Sequence, residues 1–410
     1  MMASIQMLWS DWIARLLREP TAFLLVLGLF LIPLSTSGKS IVMVLVLLSV
    51  LIEKNERQQV VRLCSNAWCQ AAIAVFLLSC LACVWSPASY KEQWIEVSKY
   101  SKLLYLPVLV AGFRKVRVRK AALNAFLAAM LITCAVSIAK DYGWSNYHGH
   151  TQVFIFRNHI MTSYMMATAA FVAAFFADTA FKQINFKLGL LYVLLWLLFS
   201  YQLLFINSGR TGYVVYCVLM MMLLTHCFSG KKALLANIMF LGVLSFCYHQ
   251  SPVMQERMGQ LQQNVASYQN DKNTPIGYRV QFHHYARDLF FRHPWLGNGS
   301  GAFRAIYRVE NPVPAWGTEL LEPHSQYWLV ASEWGVLGLM VLAGFFLNLV
   351  MAIWRLPTIR PLAFAVLLPF LLASATDSLL LYSGTGYFFL MMMAICLGEQ
   401  GDTACATKNY

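Results

Sequence analysis

The chain has 410 residues, 59% of them hydrophobic and 12% charged, with a formal net charge of +13. A soluble globular protein carries roughly 25% charged residues, so that class is excluded. Apolar runs of membrane-spanning length recur from end to end, which predicts an all-α polytopic membrane protein, and the short alternating strands of a β-barrel are absent.

The N-terminal stretch MMASIQMLWSDWIARLLREP places two arginines before the first apolar run. No small-residue cleavage site closes that run, so it reads as a retained first helix and not as a removed signal peptide. Twelve helices are expected, at about 20–36, 39–52, 67–85, 102–113, 121–139, 160–178, 188–206, 212–228, 233–249, 325–351, 361–377 and 384–398. The second and fourth are short for a hydrocarbon core about 30 Å thick, and are expected to tilt or to be partly re-entrant.

Orientation follows from the basic residues of the short loops. If all twelve helices cross, EKNERQQVVR (53–62), FRKVRVRK (113–120), FKQINFK (181–187), GKK (230–232) and WRLPTIR (354–360) share one side with the N-terminal arginines. Both termini are then cytoplasmic. This bias accounts for the positive charge without nucleic acid. The other side holds residues 86–102, 140–159, 207–212 and one large segment from 250 to 324. The expected organisation is helices one to nine over 1–249, an external loop subdomain over 250–324, and helices ten to twelve over 325–410. The loop subdomain carries seven Lys/Arg, six of them arginine: Arg257, Arg279, Arg287, Arg292, Arg304 and Arg308. No internal repeat or low-complexity tract is present. Most of the ten cysteines lie inside apolar runs, where cysteine acts as a small hydrophobe. Cys80 and Cys83 have ligand spacing but no other ligand type beside them.

Three external stretches can carry chemistry. In Asn207-Ser-Gly-Arg-Thr-Gly212, Arg210 sits between two glycines where two apolar runs meet. An arginine so near hydrocarbon must snorkel to headgroups or meet an anion, and the glycines allow a sharp turn and close approach of a ligand. In GYRVQFHHYARDLFFRHPWLGNGSGAF (277–303), Arg279, His283 and Arg287 share one helical face, suited either to a pyrophosphate or to a solvated interfacial surface. The cluster Gly297-Asn-Gly299-Ser-Gly301 loosely resembles a phosphate cradle, without a Walker lysine. In EPHSQYWL, Pro323 is expected to start a helix and to put His324 in its first turn. The positive helix end favours a neutral imidazole, the form a general base needs, and an adjacent anion. The alternative is a structural histidine at the membrane surface. His283, His284, Asp288 and His293 are clustered but form no metal signature, so no metal is expected. Trp144, Tyr147, Trp295, Tyr307 and Trp316 suit either sugar stacking or an interfacial belt.

Together these segments resemble the O-antigen ligase/O-antigen polymerase superfamily of membrane glycosyltransferases. NSGRTG (207–212) is similar to that family's Ser-(x)-Arg element ahead of a membrane helix. YRVQFHHYARDLFFRHPWLGNGSGAF (278–303) resembles its arginine, aromatic-rich helix and His/Asn-Pro-x-x-Gly-x-Gly turn. HSQYWLVASEWGVLGL (324–339) resembles its histidine-led helix with Glu-x-Gly-x-x-Gly, although Ser325 stands where the family often has Asn. The resemblance implies a glycosyltransferase-C-like fold in the bacterial inner membrane, with the loop subdomain and active site on the periplasmic face. It implies transfer of a polysaccharide from undecaprenyl pyrophosphate to a sugar hydroxyl of lipid A–core. The anomeric centre would invert, with no cofactor, metal or nucleotide sugar. Arg210 and Arg279 would bind the pyrophosphate, and His324 would deprotonate or orient the acceptor hydroxyl. Arg157, His159, Arg287 and Gln326 complete the expected substrate-binding set. The partners would be the lipid-linked donor, the lipid A–core acceptor and membrane lipid, with the protein a monomer. A polymerase or a protein O-oligosaccharyltransferase of the same superfamily would use the same parts. A non-enzymatic polyprenyl-glycan transporter would instead need charges along a path at mid-helix depth, and few are present.

Overall fold

The computed structural model describes residues 19–143 and 156–400. Among these residues the chain forms seventeen α-helices and no strand. In chain order they are α1 (Pro20–Leu34), α2 (Thr36–Ile52), α3 (Lys54–Leu63), α4 (Ala67–Leu81), α5 (Tyr90–Tyr100), α6 (Tyr105–Gly112), α7 (Val116–Asp141), α8 (His159–Lys182) and α9 (Phe186–Tyr201). Then come α10 (Arg210–Cys227), α11 (Gly230–Gln250), α12 (Pro252–Ala266), α13 (Pro275–Arg292), α14 (Ala302–Glu310), α15 (Gln326–Trp354), α16 (Arg360–Ala373) and α17 (Ser383–Leu397).

Each of the twelve expected apolar helices has a counterpart. The five additional ones, α3, α5, α12, α13 and α14, are more polar and were not expected as separate helices except for part of α13. Six helices are long and apolar enough to cross a membrane: α7, α8, α9 with its π-helical extension to Ile206, α10, α11 and α15. The second expected helix, α2, has 17 residues, short of the roughly 20 of a straight crossing, and turns by 99° into α3, as a broken or re-entrant span does. The fourth is shorter than expected, with 8 residues in α6 after a 3₁₀ turn at Ser101–Leu104. Outward-facing residues identify the solvent. Ala233 is the only buried residue of α11, while Leu234, Leu235, Ile238, Met239 and Phe246 are exposed. A helix that presents so much apolar surface is at home in lipid. The protein is therefore a multi-pass membrane protein.

The basic loops gather at one end of the bundle. Glu19 pairs with Lys115 and Arg117, and Glu56 pairs with Arg114 at 3.2 Å. Glu399 accepts from the backbone N–H groups of Thr358 and Ile359 at 3.1 and 3.2 Å. At the other end, residues between α11 and α15 fold as three helices around a small aromatic core of Phe282, Tyr285, Phe303 and Tyr307.

The middle of this segment is tied to α15 at a break in that helix. Gly335 leaves the helix with φ 63° and ψ −154°, a region essentially restricted to glycine. The break frees backbone groups inside the protein, and the glycine-rich turn takes them up. Asn298 N–H donates to Ser332 O at 3.1 Å and Gly299 N–H to Glu333 O at 2.7 Å. Val336 N–H and Leu337 N–H donate in return to Pro294 O and Trp295 O at 2.8 and 3.2 Å. The chains approach so closely that a Cβ on Gly297 would lie 2.3 Å from the Glu333 carbonyl carbon. Ser300 extends the tie to α4, donating through Oγ to Ser79 O at 2.7 Å. The turn read as a loose phosphate cradle is thus a backbone lock: these N–H groups point at carbonyls.

Gly335→Ala should lower stability by at least about 2 kcal/mol, from the disallowed conformation and a Cβ 2.6 Å from Pro294 O. Gly344→Ala in the same helix, where a Cβ meets nothing within 4 Å, should be neutral or mildly stabilising. Thermal unfolding in detergent compares the two.

Candidate active site

Arg210 is placed by a turn built from its own neighbours. A π-helical turn ends α9, and Asn207 then folds back on itself, accepting from Gly209 N–H through Oδ1 at 2.9 Å. Tyr213 donates to the Asn207 carbonyl at 2.5 Å. Gly209 caps α10, so Arg210 is its first residue. The flanking glycines serve helix packing and not ligand approach. A Cβ on Gly209 would lie 2.2 Å from Ser163 Oγ, and one on Gly212 2.3 Å from Ser163 Cβ. α10 therefore lies hard against α8, and the start of α8 brings in His159.

α13 supplies Arg279. Thr274 caps it through Oγ1 on Gly277 N–H at 3.0 Å, with Pro275 in its first turn. The charges of Arg210, Arg257 and Arg279 act on one another and on His159. Arg279 also acts on Tyr382 and on His283. Neither Arg210 nor Arg279 has an acidic partner among the described residues. The other loop arginines do: Arg292 with Glu310, Arg304 with Glu319, and Arg308 with Glu92 and Glu319. A half-buried group of positive charges without counter-charges is suited to an anion.

His324 is held differently from the expectation. α15 begins at Gln326, and Ser325 is its cap, accepting from Trp328 N–H. His324 precedes the cap in the left-handed region, φ 56°. Its backbone is fixed on both sides: N–H donates to Glu322 Oε2 at 2.7 Å, and the carbonyl meets His283 Nε2 at 3.1 Å. The ring stacks on Phe282. Nδ1 lies 3.1 Å from Glu322 Oε1, in ion-pair range without hydrogen-bond alignment, and 3.7 Å from Asp377 Oδ1. Nε2 meets no hydrogen-bonding group among the described residues. The imidazole is thus oriented by carboxylates, and the helix end that was expected to set it lies two residues further on.

Glu322 is the hub. It is 1% exposed and accepts from Ser378 Oγ and from Tyr382 OH, the latter at 3.0 Å. Burial raises its carboxyl above the usual range, while His324, Ser378 and Tyr382 pull it back. The loop from α16 to α17 that carries Asp377, Ser378 and Tyr382 is held by a buried lysine. Lys102 Nζ donates to Leu380 O and Leu381 O at 2.6 and 3.1 Å. Burial pushes His283 below the usual histidine range.

The other expected site residues are placed less centrally. Arg157 caps α1, donating twice to Ile32 O at 3.1 and 2.6 Å. Gln326 is buried, with its amide donating to Tyr100 OH at 2.9 Å and accepting from Leu380 N–H at 3.1 Å. Arg287 is exposed beside Asp288 and is not brought to the arginine group. Among the aromatics, Tyr307 is fully buried, Trp295 is exposed, and Trp144 and Tyr147 lie outside the described residues. The expected His283/His284/Asp288/His293 cluster does not form a ligand set. Among the described residues, the group with metal-ligand spacing is Glu322, His324 and Asp377, whose ligand atoms lie within 4.8 Å of one another. Sequence reasoning did not single out Arg257, Glu322, Asp377 or Tyr382 as site residues.

Residues 193–343 match the sequence model of the family described as O-antigen ligase. That stretch runs from α9 into α15 and contains Arg210, Arg257, Arg279 and His324. No curated protein matches the chain. The match spans the arginine group and the carboxylate-held histidine, so this part of the chain is similar to the O-antigen ligase family.

Proposed function

We propose that the protein is an O-antigen ligase that transfers a polysaccharide from undecaprenyl pyrophosphate to a sugar hydroxyl of lipid A–core. The observation that carries this reading is the group Arg210, Arg257 and Arg279, without acidic partners for Arg210 and Arg279, at the same end as a carboxylate-held His324. Pyrophosphate is already a good leaving group. The protein's task is to stabilise the charge that grows on the bridging oxygen, and preorganised arginines do this without reorganising. His324 Nε2 takes the proton of the acceptor hydroxyl, with Nδ1 held toward Glu322. Attack opposite the pyrophosphate inverts the anomeric centre. Apolar helices flank the site and hold the polyprenyl tail, and the segment between α11 and α15 excludes water that would hydrolyse the donor.

The placement of charge supports twelve crossings with both termini in the cytoplasm. Residues 1–249 and 325–410 form the membrane part, residues 250–324 a periplasmic subdomain, and the site faces the periplasm of the inner membrane. The chemistry runs without a metal. Glu322, His324 and Asp377 would be the first place for a divalent ion, so chelator is the direct test.

His324→Ala, Arg210→Ala and Arg279→Ala should each cut ligation by about 10²–10³-fold at unchanged protein level. Transfer by purified protein with lipid-linked donor and lipid A–core measures this, and full activity in any variant removes that residue's role. The same assay should be insensitive to chelator. Deleting the protein should leave lipid-linked polymer of normal length; accumulation of single repeat units would instead identify a polymerase.

A further inference from the structure

The proposed chemistry leaves one group of buried carboxyls unused. A cavity of about 50 Å³ adjoins the site, several times what one water needs. Glu92, Glu96, Lys99, Arg304, Glu333 and Tyr382 line it. Glu96 is 7% exposed and Glu333 2%. Glu96 Oε1 and Glu333 Oε2 have no hydrogen-bond partner among the described residues. Their other interactions are few: the Glu333 carboxylate is met by the backbone N–H groups of Gly301 and Phe303, the latter at 3.2 Å from Oε1. Two carboxyls buried this deeply and incompletely bonded are unusual in a wall that serves only packing. Tyr382 connects them to the histidine, because its ring lines the cavity while its hydroxyl reaches Glu322 Oε1 at 3.0 Å. Glu92 marks the way out, since its partner Arg308 is 40% exposed.

We propose that this cavity is the proton exit of the active site, carrying the proton lost by the acceptor hydroxyl from His324 through Glu322 and Tyr382 to Glu96, and past Glu92 to solvent. The inference rests on His324 acting as the base. As the acceptor oxygen bonds the anomeric carbon, its proton passes to His324 Nε2. The bond to the pyrophosphate breaks, and its electron pair leaves with the pyrophosphate. The Nδ1 proton moves to Glu322 Oε1 once the ring turns into line. Glu322 hands it to the Tyr382 oxygen as the phenol proton crosses cavity water to Glu96. One proton enters at the substrate and one leaves to solvent; carboxylate and phenol are restored, and the imidazole, left protonated at Nε2, exchanges that proton for one at Nδ1 before the next turnover.

The electrostatics suit each step. Burial pushes the Glu96 carboxyl up to about 7, so it takes up and releases protons near neutrality. Burial and the neighbouring Glu322 hold the Tyr382 phenol well above its usual range, so it stays protonated between transfers. The charged and titratable groups around Glu96 belong to named elements: Glu92, Lys99 and Tyr100 on α5, Lys102 on the 3₁₀ turn, Glu322 before α15 and Glu333 within it. Arg304 on α14 and Tyr382 at the start of α17 complete its surroundings.

The test uses purified full-length protein, an undecaprenyl-pyrophosphate-linked oligosaccharide and lipid A–core, with kcat and KM measured against pH. Glu96→Gln and Tyr382→Phe should each lower kcat about tenfold with KM unchanged, and remove the kcat inflection near pH 7. Glu96→Asp should restore much of the rate. Wild-type kcat and pH profile in Glu96→Gln and Tyr382→Phe, alongside an inactive His324→Ala, would overturn the exit route and leave the base in place. Full activity of His324→Ala would instead remove the base, and the route with it. Unfolding gives an activity-free readout. The folded Glu96 value lies above its ordinary 4.5, so its contribution to stability is complete below about pH 4.5 and lost as pH rises through about 7. Glu96→Gln should flatten the melting temperature across that window; an unchanged slope would count against the proposal.

Discussion

Backbone groups freed inside an apolar protein must find partners, and this constraint organises the site-bearing end. α15 breaks at Gly335, and the freed groups on both sides of the break are bonded by residues 294–299. An unmet group here would have no water to turn to. The lock fixes the upper half of α15 against α13 and α4. That half begins at Ser325, directly after His324, so the position of the imidazole follows from a hydrogen-bonding problem solved ten residues away. The strain of a non-glycine residue at φ 56° persists because Glu322 and His283 hold its two backbone groups.

Charge is sorted with the same economy. Three arginines of the outer segment are matched to Glu92, Glu310 and Glu319, and the pairs pin α14 to α5 and α13. Arg210 and Arg279 have no acidic partner among the described residues.

The helices were legible because apolar runs interrupted by basic loops are long and unambiguous. The amphipathic helices were less so, since α12 buries only Met254 and α14 is just nine residues long, too short for its period to stand out. The start of α15 was misplaced because Pro323 looks like a first helical residue, whereas Ser325 is the better cap and its hydroxyl does the capping. Gly209, Gly212 and the 297–301 turn were visible as glycines. Whether glycine admits a ligand or a neighbouring backbone depends on what packs there, and no local pattern contains that. Asp377 and Tyr382 lie more than fifty residues beyond His324 and meet it only through the fold. Arg157 and Gln326 were plausible ligands by type, and Ile32 O, Tyr100 and Leu380 claim them in the structure.

α11 has one buried residue, so lipid is its main neighbour. The tilt of such a helix responds to the thickness of the surrounding hydrocarbon. α12, with Arg257, follows it directly, and a change of tilt passed along the chain would carry that charge away from Arg210. Ser251 sits at the junction, is fully buried, and donates to Leu204 O at 2.6 Å on the neighbouring α9 extension. It also caps α12 through Met254 N–H. The serine is therefore a fulcrum: α11 can lean with the bilayer below it while the arginine above keeps its register.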